Sequence, residues 1–169
     1  MTIEVLVLHD DRGRLMGPLA QGVAEGVARV PGAHALVRPI DQASRDDLAR
    51  CHALVLGSPN WSGITGKLKL WLDSLSDLWE DASLAGKVGA AFTGGASRSA
   101  GTEFTLLTLV HWMLANGLII VGLPWNTRMV TSGSYYGATG AGEVVPGDVE
   151  QARALGERVA RVAQRLAQA

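Results

Sequence analysis

Cysteine is all but missing from this sequence. Cys51 is the only one in 169 residues, which excludes an intrachain disulfide framework and any Cys-rich metal site. A reducing cytoplasm suits such a chain. Neither sign of charge is in excess: 15 basic residues face 16 acidic ones, so no long-range field recruits nucleic acid or an anionic membrane surface. Long hydrophobic runs are missing as well. No apolar stretch approaches the roughly 20 residues of a membrane span, and Met1-Thr2-Ile3-Glu4 runs straight into a strand without a basic leader. The expectation is an unprocessed, cytoplasmic protein whose partners are small molecules or other protein chains.

What is present is a core. At 47% hydrophobic composition, a chain of this length buries roughly 70% of the surface its unfolded form exposes, and one domain over residues 1–169 is expected. Five short apolar runs alternate with segments of helical period. The runs are Ile3 to Leu8, His34 to Arg38, His52 to Gly57, Val88 to Thr93 and Leu118 to Leu123. Each has the length of a strand buried on both faces. Helices are predicted at about Pro18 to Arg29, Gln42 to Arg50, Thr65 to Trp79, Gly101 to Asn116 and Gly147 to Leu166, with Gly117 stopping the fourth. Strict βα alternation predicts an α/β three-layer sandwich on a five-stranded parallel sheet of order 2-1-3-4-5, with ligands beyond the carboxyl ends of the strands. The longest irregular segment, Pro124 to Pro146, is too long to be an idle loop in a compact domain.

In that topology the loops after strands 1, 3 and 4 converge. The third reads Thr93-Gly94-Gly95-Ala96-Ser97-Arg98-Ser99-Ala100-Gly101: small side chains, free amides and hydroxyls that a planar polar ring can approach closely. The middle loop, Ser58-Pro59-Asn60-Trp61-Ser62-Gly63, adds a rigid turn and an aromatic plane. His9, His34, His52 and His111 have no spacing that suggests a metal, and none is predicted. Ser97 and Ser99 lack any partner motif for nucleophilic catalysis, so contact to a cofactor is the better reading of their hydroxyls.

The stretch Gly57 to Gly63, followed by Gly66-Lys67-Leu68-Lys69 and Leu72-Asp73, resembles the G-[ST]-P-T-R-[FY]-G…G-x-x-K-x-F-[LI]-D signature of NAD(P)H:quinone oxidoreductases of the tryptophan-repressor-binding-protein (WrbA) type. Leu78-Trp79 before Gly86-Lys87 resembles that family's L-W…G-K. Phe92-Thr93 through Gly101-Thr102-Glu103 resembles its F-[TS]-S-T-G…G-G-Q-E, and Ser132 to Thr139 its G-G-[ST]-P-Y-G-A-T. The resemblance implies a flavodoxin-like fold, FMN as cofactor, NAD(P)H as co-substrate and a quinone-like small-molecule acceptor. Carried onto this chain, the implied cofactor contacts are Asp11, Arg12, Gly13, Arg14 and Leu15; Ser58, Pro59, Asn60, Trp61, Ser62 and Gly63; and Thr93, Gly94, Gly95, Ala96, Ser97 and Gly101. The flavin supplies the chemistry, so no catalytic side chain is nominated. It also implies a homodimer or homotetramer, in which Trp79 is the candidate wall of a neighbour's pocket and Tyr135 and Tyr136 a lid.

The first loop departs from the pattern. Where the family has S-x-x-G-x-[IT] to hold the FMN phosphate at a helix N-terminus, this chain reads His9-Asp10-Asp11-Arg12-Gly13-Arg14-Leu15, with Asp11 expected at the serine and Gly13 one position early. A carboxylate about 4 Å from a phosphate costs about 4 kcal/mol per unit of charge product at an effective dielectric near 20. The forks of Arg12 and Arg14 can offset that, with Asp10 and Asp11 turned to solvent or holding the arginines. Trp61 and Ser62 replace an arginine and an aromatic of the family, and Ala115-Asn116 occupies the region of its helix-end histidine. The acidic loop keeps a rival open, a flavodoxin-fold binding or regulatory protein without FMN. A second rival, the flavodoxin-type electron carrier, fits poorly because such shuttles resemble strongly acidic proteins and this chain is near neutral.

Overall fold

The computed structural model describes residues 2–168, so the two ends of the expected 1–169 domain lie outside it. A parallel sheet runs through the middle in the order β2-β1-β3-β4-β5, with β1 Ile3–His9, β2 Ala33–Pro39, β3 Ala53–Pro59, β4 Val88–Gly95 and β5 Ile119–Ile120. One face carries Val5, Val7, Val55, Ala90 and Phe92 against helices α1 (Met16–Ala28) and α6 (Pro146–Leu166). The other carries Leu6, Leu8, Leu54, Leu56 and Ala91 against α2 (Arg45–Arg50), α3 (Gly66–Asp73) and α5 (Thr102–Ala115). β1, β3 and β4 are buried on both faces, which is why they read as continuous apolar runs. α1 and α6 cross closely. A Cβ on Gly26 would come within 2.0 Å of the Arg153 carbonyl oxygen, and one on Gly156 within 2.0 Å of that of Val23.

Four elements depart from expectation. The predicted strand Leu118 to Leu123 makes ladder pairs only at Ile119 and Ile120, because the same edge of β4 is taken from Ala91 to Gly95 by a sixth strand, β6 (Gly137–Ala141). That strand lies inside the segment expected to be irregular, which also holds a 3-10 turn at Thr127–Val130. Gly-Ala-Thr-Gly-Ala has almost no strand propensity; pairing with β4 makes it a strand, and a Cβ on Gly137 would stand 1.9 Å from the Ala91 oxygen. The helix expected from Thr65 to Trp79 is two, α3 and α4 (Ser76–Glu80). The Ser74 hydroxyl donates to the Trp71 carbonyl at 2.6 Å, a local bond that competes with continuation of the helix. α2 starts at Arg45 rather than Gln42, because Ser44 and Asp47 form a reciprocal capping box.

Candidate functional site

Strand register brings the three loops together. His9 lies beside Gly57, Gly57 beside Phe92 and Pro59 beside Gly94, so the chain leaves β1, β3 and β4 side by side at one edge. Asn60 ties them. Its N–H donates to the Gly94 carbonyl at 2.7 Å, its amide nitrogen to the Ala100 carbonyl at 2.6 Å, and its oxygen accepts the Thr105 hydroxyl at 2.9 Å. The turn Trp61 to Gly63 closes through the Trp61 N–H to the Gly63 carbonyl, with Ser62 in the left-handed region at φ 58°. Trp61 is 67% exposed, and the Arg12 guanidinium stands 6.0 Å from its ring centroid, within cation–π reach. Gly94 is small because Leu15 is there: a Cβ would lie 2.7 Å from the leucine Cβ.

Two helices open onto this crevice without a side-chain cap. The N-caps are Leu15 for α1 and Gly101 (φ 86°) for α5, and neither offers a side-chain acceptor. The orphan N–H groups of their first turns, with the helix dipoles behind them, favour an anion. α3, by contrast, is capped by Thr65 Oγ1, which accepts the Leu68 N–H. An open cleft of about 670 Å³ borders the first loop at Arg14 and Leu15 and is closed on its far side by Gly142 to Val144. A second, of about 380 Å³, lies between the β4–α5 loop at Arg98 to Gly101 and the segment Met129 to Ser134.

Of the expected contacts, Ser58 and Thr93 are fully buried and turn their hydroxyls into the scaffold. Thr93 donates to the Ser58 carbonyl at 2.7 Å, and Ser58 accepts the Thr65 N–H at 3.1 Å. Arg12, Gly13, Arg14, Ala96 and Ser97 are exposed at the crevice, and the Ser97 and Ser99 hydroxyls are 3.4 Å apart. Asp10 and Asp11 behave differently from each other. Asp11 faces solvent, whereas Asp10 is 1% exposed. Asp10 does not hold an arginine side chain: it accepts the Arg12 backbone N–H at 3.0 Å and the Thr65 hydroxyl at 2.5 Å. Counted from Gly13, it is also Asp10, not Asp11, that takes the first position of S-x-x-G-x-[IT]. His9, just before it, is buried against Phe92, its Nδ1 without a partner among the described residues, and burial holds its pKa below the usual value.

Trp79 is 60% exposed at the end of α4, and Tyr135 and Tyr136 are exposed in the turn before β6. Hydrogen bonds place none of these three rings on the converging loops. A pin that the sequence reading did not single out lies behind the third loop. Asp148, wholly buried in the first turn of α6, accepts the Arg98 guanidinium at 3.1 Å, the Ser132 hydroxyl and the Val145 N–H at 3.2 Å. Gln151 donates to the Ser132 carbonyl at 2.9 Å, and Ser134 donates to Glu103 at 2.6 Å. An acidic residue directly after Pro146-Gly147 was a helix-start signal; its partner fifty residues earlier was not readable. Among the described residues no group of three His, Cys, Asp or Glu side chains is placed to hold a metal.

Glycine-lined strand-end loops, two uncapped helix starts and an exposed aromatic plane at the switch point of a 2-1-3-4-5 sheet define a flavodoxin-like flavin domain. Comparison with known proteins narrows this. A model of the NADPH-dependent FMN reductase family matches residues 21–130. A protein of Geobacter sulfurreducens named NAD(P)H dehydrogenase (quinone) is 35% identical, over 97% of this chain and 99% of its own length. One of the same name from Archaeoglobus fulgidus is 33% identical, over 96% and 97%. The solved WrbA-like flavodoxin of Agrobacterium tumefaciens superposes with a TM-score of 0.78 at 28% identity, covering 98% of this chain and 99% of that one. The chain belongs to the NADPH-dependent FMN reductase family.

Proposed function

We propose that this protein is an FMN-dependent NAD(P)H:quinone oxidoreductase, and that the crevice between the three loops is its flavin site. The convergence of the loops on two uncapped helix N-termini is the observation that supports it most directly. FMN, when bound, supplies hydride acceptance from the nicotinamide and delivery of electrons to the acceptor. The chain's part is to hold and shield it. Arg12, Arg14 and the first-turn amides of α1 supply positive charge for the phosphate, and the backbone from Asn60 to Gly63 and from Gly95 to Ser97 borders the ring. Asn60, locked by four hydrogen bonds, the fourth accepted from the Gly63 N–H, keeps those two loops at a fixed spacing without reorganisation. The acceptor is a quinone-like small molecule, and the protein works in the cytoplasm as one domain.

The neighbouring subunit completes the pocket. The rings of Trp61, Trp79 and Tyr135, each more than half exposed, support an assembly in which they are covered, since large aromatic side chains are enriched at interfaces. The decisive experiment is reconstitution followed by turnover. Protein freed of flavin should gain flavin absorbance on titration with FMN and then oxidise NADH or NADPH with a simple benzoquinone and no partner protein. A colourless protein that ignores added flavin would instead favour a flavin-free regulatory module.

A further inference from the structure

We infer that Asp10 sets the selectivity of this site among flavins, acting as a built-in anion that holds down the preference for FMN over flavins without a phosphate. The inference deepens the proposed flavin site and rests on it. The first loop has the parts of an anion cradle: Gly13 in the left-handed region at φ 85° with open space where a Cβ would be, and a helix start with no side-chain cap. Its floor, however, already holds a carboxylate. One Asp10 oxygen takes the Arg12 N–H, two residues on, in an Asx-type turn, so that a loop donor is spent internally. The other takes the Thr65 hydroxyl.

That second bond explains how the charge is tolerated. Thr65 is the N-cap of α3, so the carboxylate sits at the positive end of that helix. The compensation comes from below the loop and is used up there. An incoming phosphate meets one fewer N–H and a fixed negative charge. Asp11 adds to the repulsion from the solvent side, while Arg12 and Arg14 offset it, neither making an ion pair among the described residues; Lys67 is paired with Asp41 but also faces Asp10 and Asp11, offsetting them in part. The isoalloxazine end of the site lacks the two carboxylates, and of these charges only Arg12 reaches it, over Trp61. Asp10 therefore acts on the phosphate and not on the ring.

The test is a pair of fluorescence titrations, FMN and riboflavin, on the flavin-free full chain and on Asp10→Ser and Asp10→Asn. Wild type should bind the two within about tenfold of each other, a difference of about 1.4 kcal/mol. Both variants should tighten FMN about tenfold or more and leave riboflavin unchanged, with circular dichroism and melting confirming the fold. A wild-type preference for FMN of a thousandfold, or an FMN-to-riboflavin ratio that stays or falls in the variants, would overturn the inference. Binding of neither flavin by wild type or folded variants would overturn the flavin site itself, which is a distinguishable result.

Discussion

Single side chains beneath the loops carry consequences that composition does not reveal. His9 ends β1 on the α1 side, with its ring 6.2 Å from that of Phe92 and no partner for Nδ1 among the described residues. Burial, the largest effect, lowers its pKa, while the nearby Asp10 backbone and the charges of Asp11 and Asp10 oppose it. The folded state then binds fewer protons than the unfolded one just below pH 6.5, the ordinary histidine value. Stability from this residue is complete above that pH and is lost as pH falls toward the lower folded value. The urea midpoint should therefore drop more steeply between pH 7 and pH 5.5 in wild type than in His9→Phe. Parallel curves would show that His9 is not held neutral. The sequence placed His9 in the first loop; that its ring points into the core follows from strand alternation once β1 reaches His9 rather than stopping at Leu8.

At the scale of elements, the α1–α6 crossing is the contact most exposed to a small change. Gly156 sits mid-helix, where replacement by Ala gains about 1 kcal/mol of helix propensity. Here the new methyl would stand 2.0 Å from the Val23 carbonyl oxygen, a backbone atom that moves only with its helix. Overpacking costs about 1–3 kcal/mol, and a clash with backbone belongs at the upper end, so after the propensity gain Gly156→Ala should lower Tm by about 4–8 °C at roughly 2–4 °C per kcal/mol. Gly17→Ala, in the first turn of α1 with nothing within 4 Å, should leave Tm unchanged or raised. A Gly156→Ala protein as stable as wild type would mean that the helices separate at little cost. Both helices were legible from their period, and their approach was not, since Gly22, Gly26 and Gly156 weaken a helix in isolation. The two-part α3 and α4 and the sixth strand were missed for a related reason: a hydroxyl bonding one turn back and a strand made by its neighbour leave no local pattern.

For the whole molecule, the surface is more apolar than a lone monomer needs. Helix α5 is hydrophobic nearly all round, burying Leu106, Leu109 and Met113 while Phe104, Leu107 and Leu114 stay exposed at helical spacing, and a helix apolar on both faces is ordinarily covered on both. With Trp79 and Tyr135 also exposed, the expected state in solution is a dimer or tetramer. Leu114→Asp should shift the sedimentation coefficient toward the monomer without loss of helical signal. Trp79→Ala should reduce quinone turnover while the circular dichroism spectrum is kept. A wild-type monomer, with full turnover after the Trp79 change, would sink the assembly.

The sequence by itself determined the βα alternation, the parallel order and which three loops converge, because apolar period and strand-end position are local properties that topology turns into place. It also carried the family likeness in ordered motifs from Gly57 to Thr139. Only the tertiary structure decided what those motif residues do. Ser58, Asn60 and Thr93 became struts rather than bare contacts, Asp148 found Arg98 across fifty residues, and Asp10 went under the loop while Asp11 stayed outside. The physical reason is common to all of them: a polar group's partner is set by which backbone is brought near it, and that depends on pairing between segments far apart in the chain.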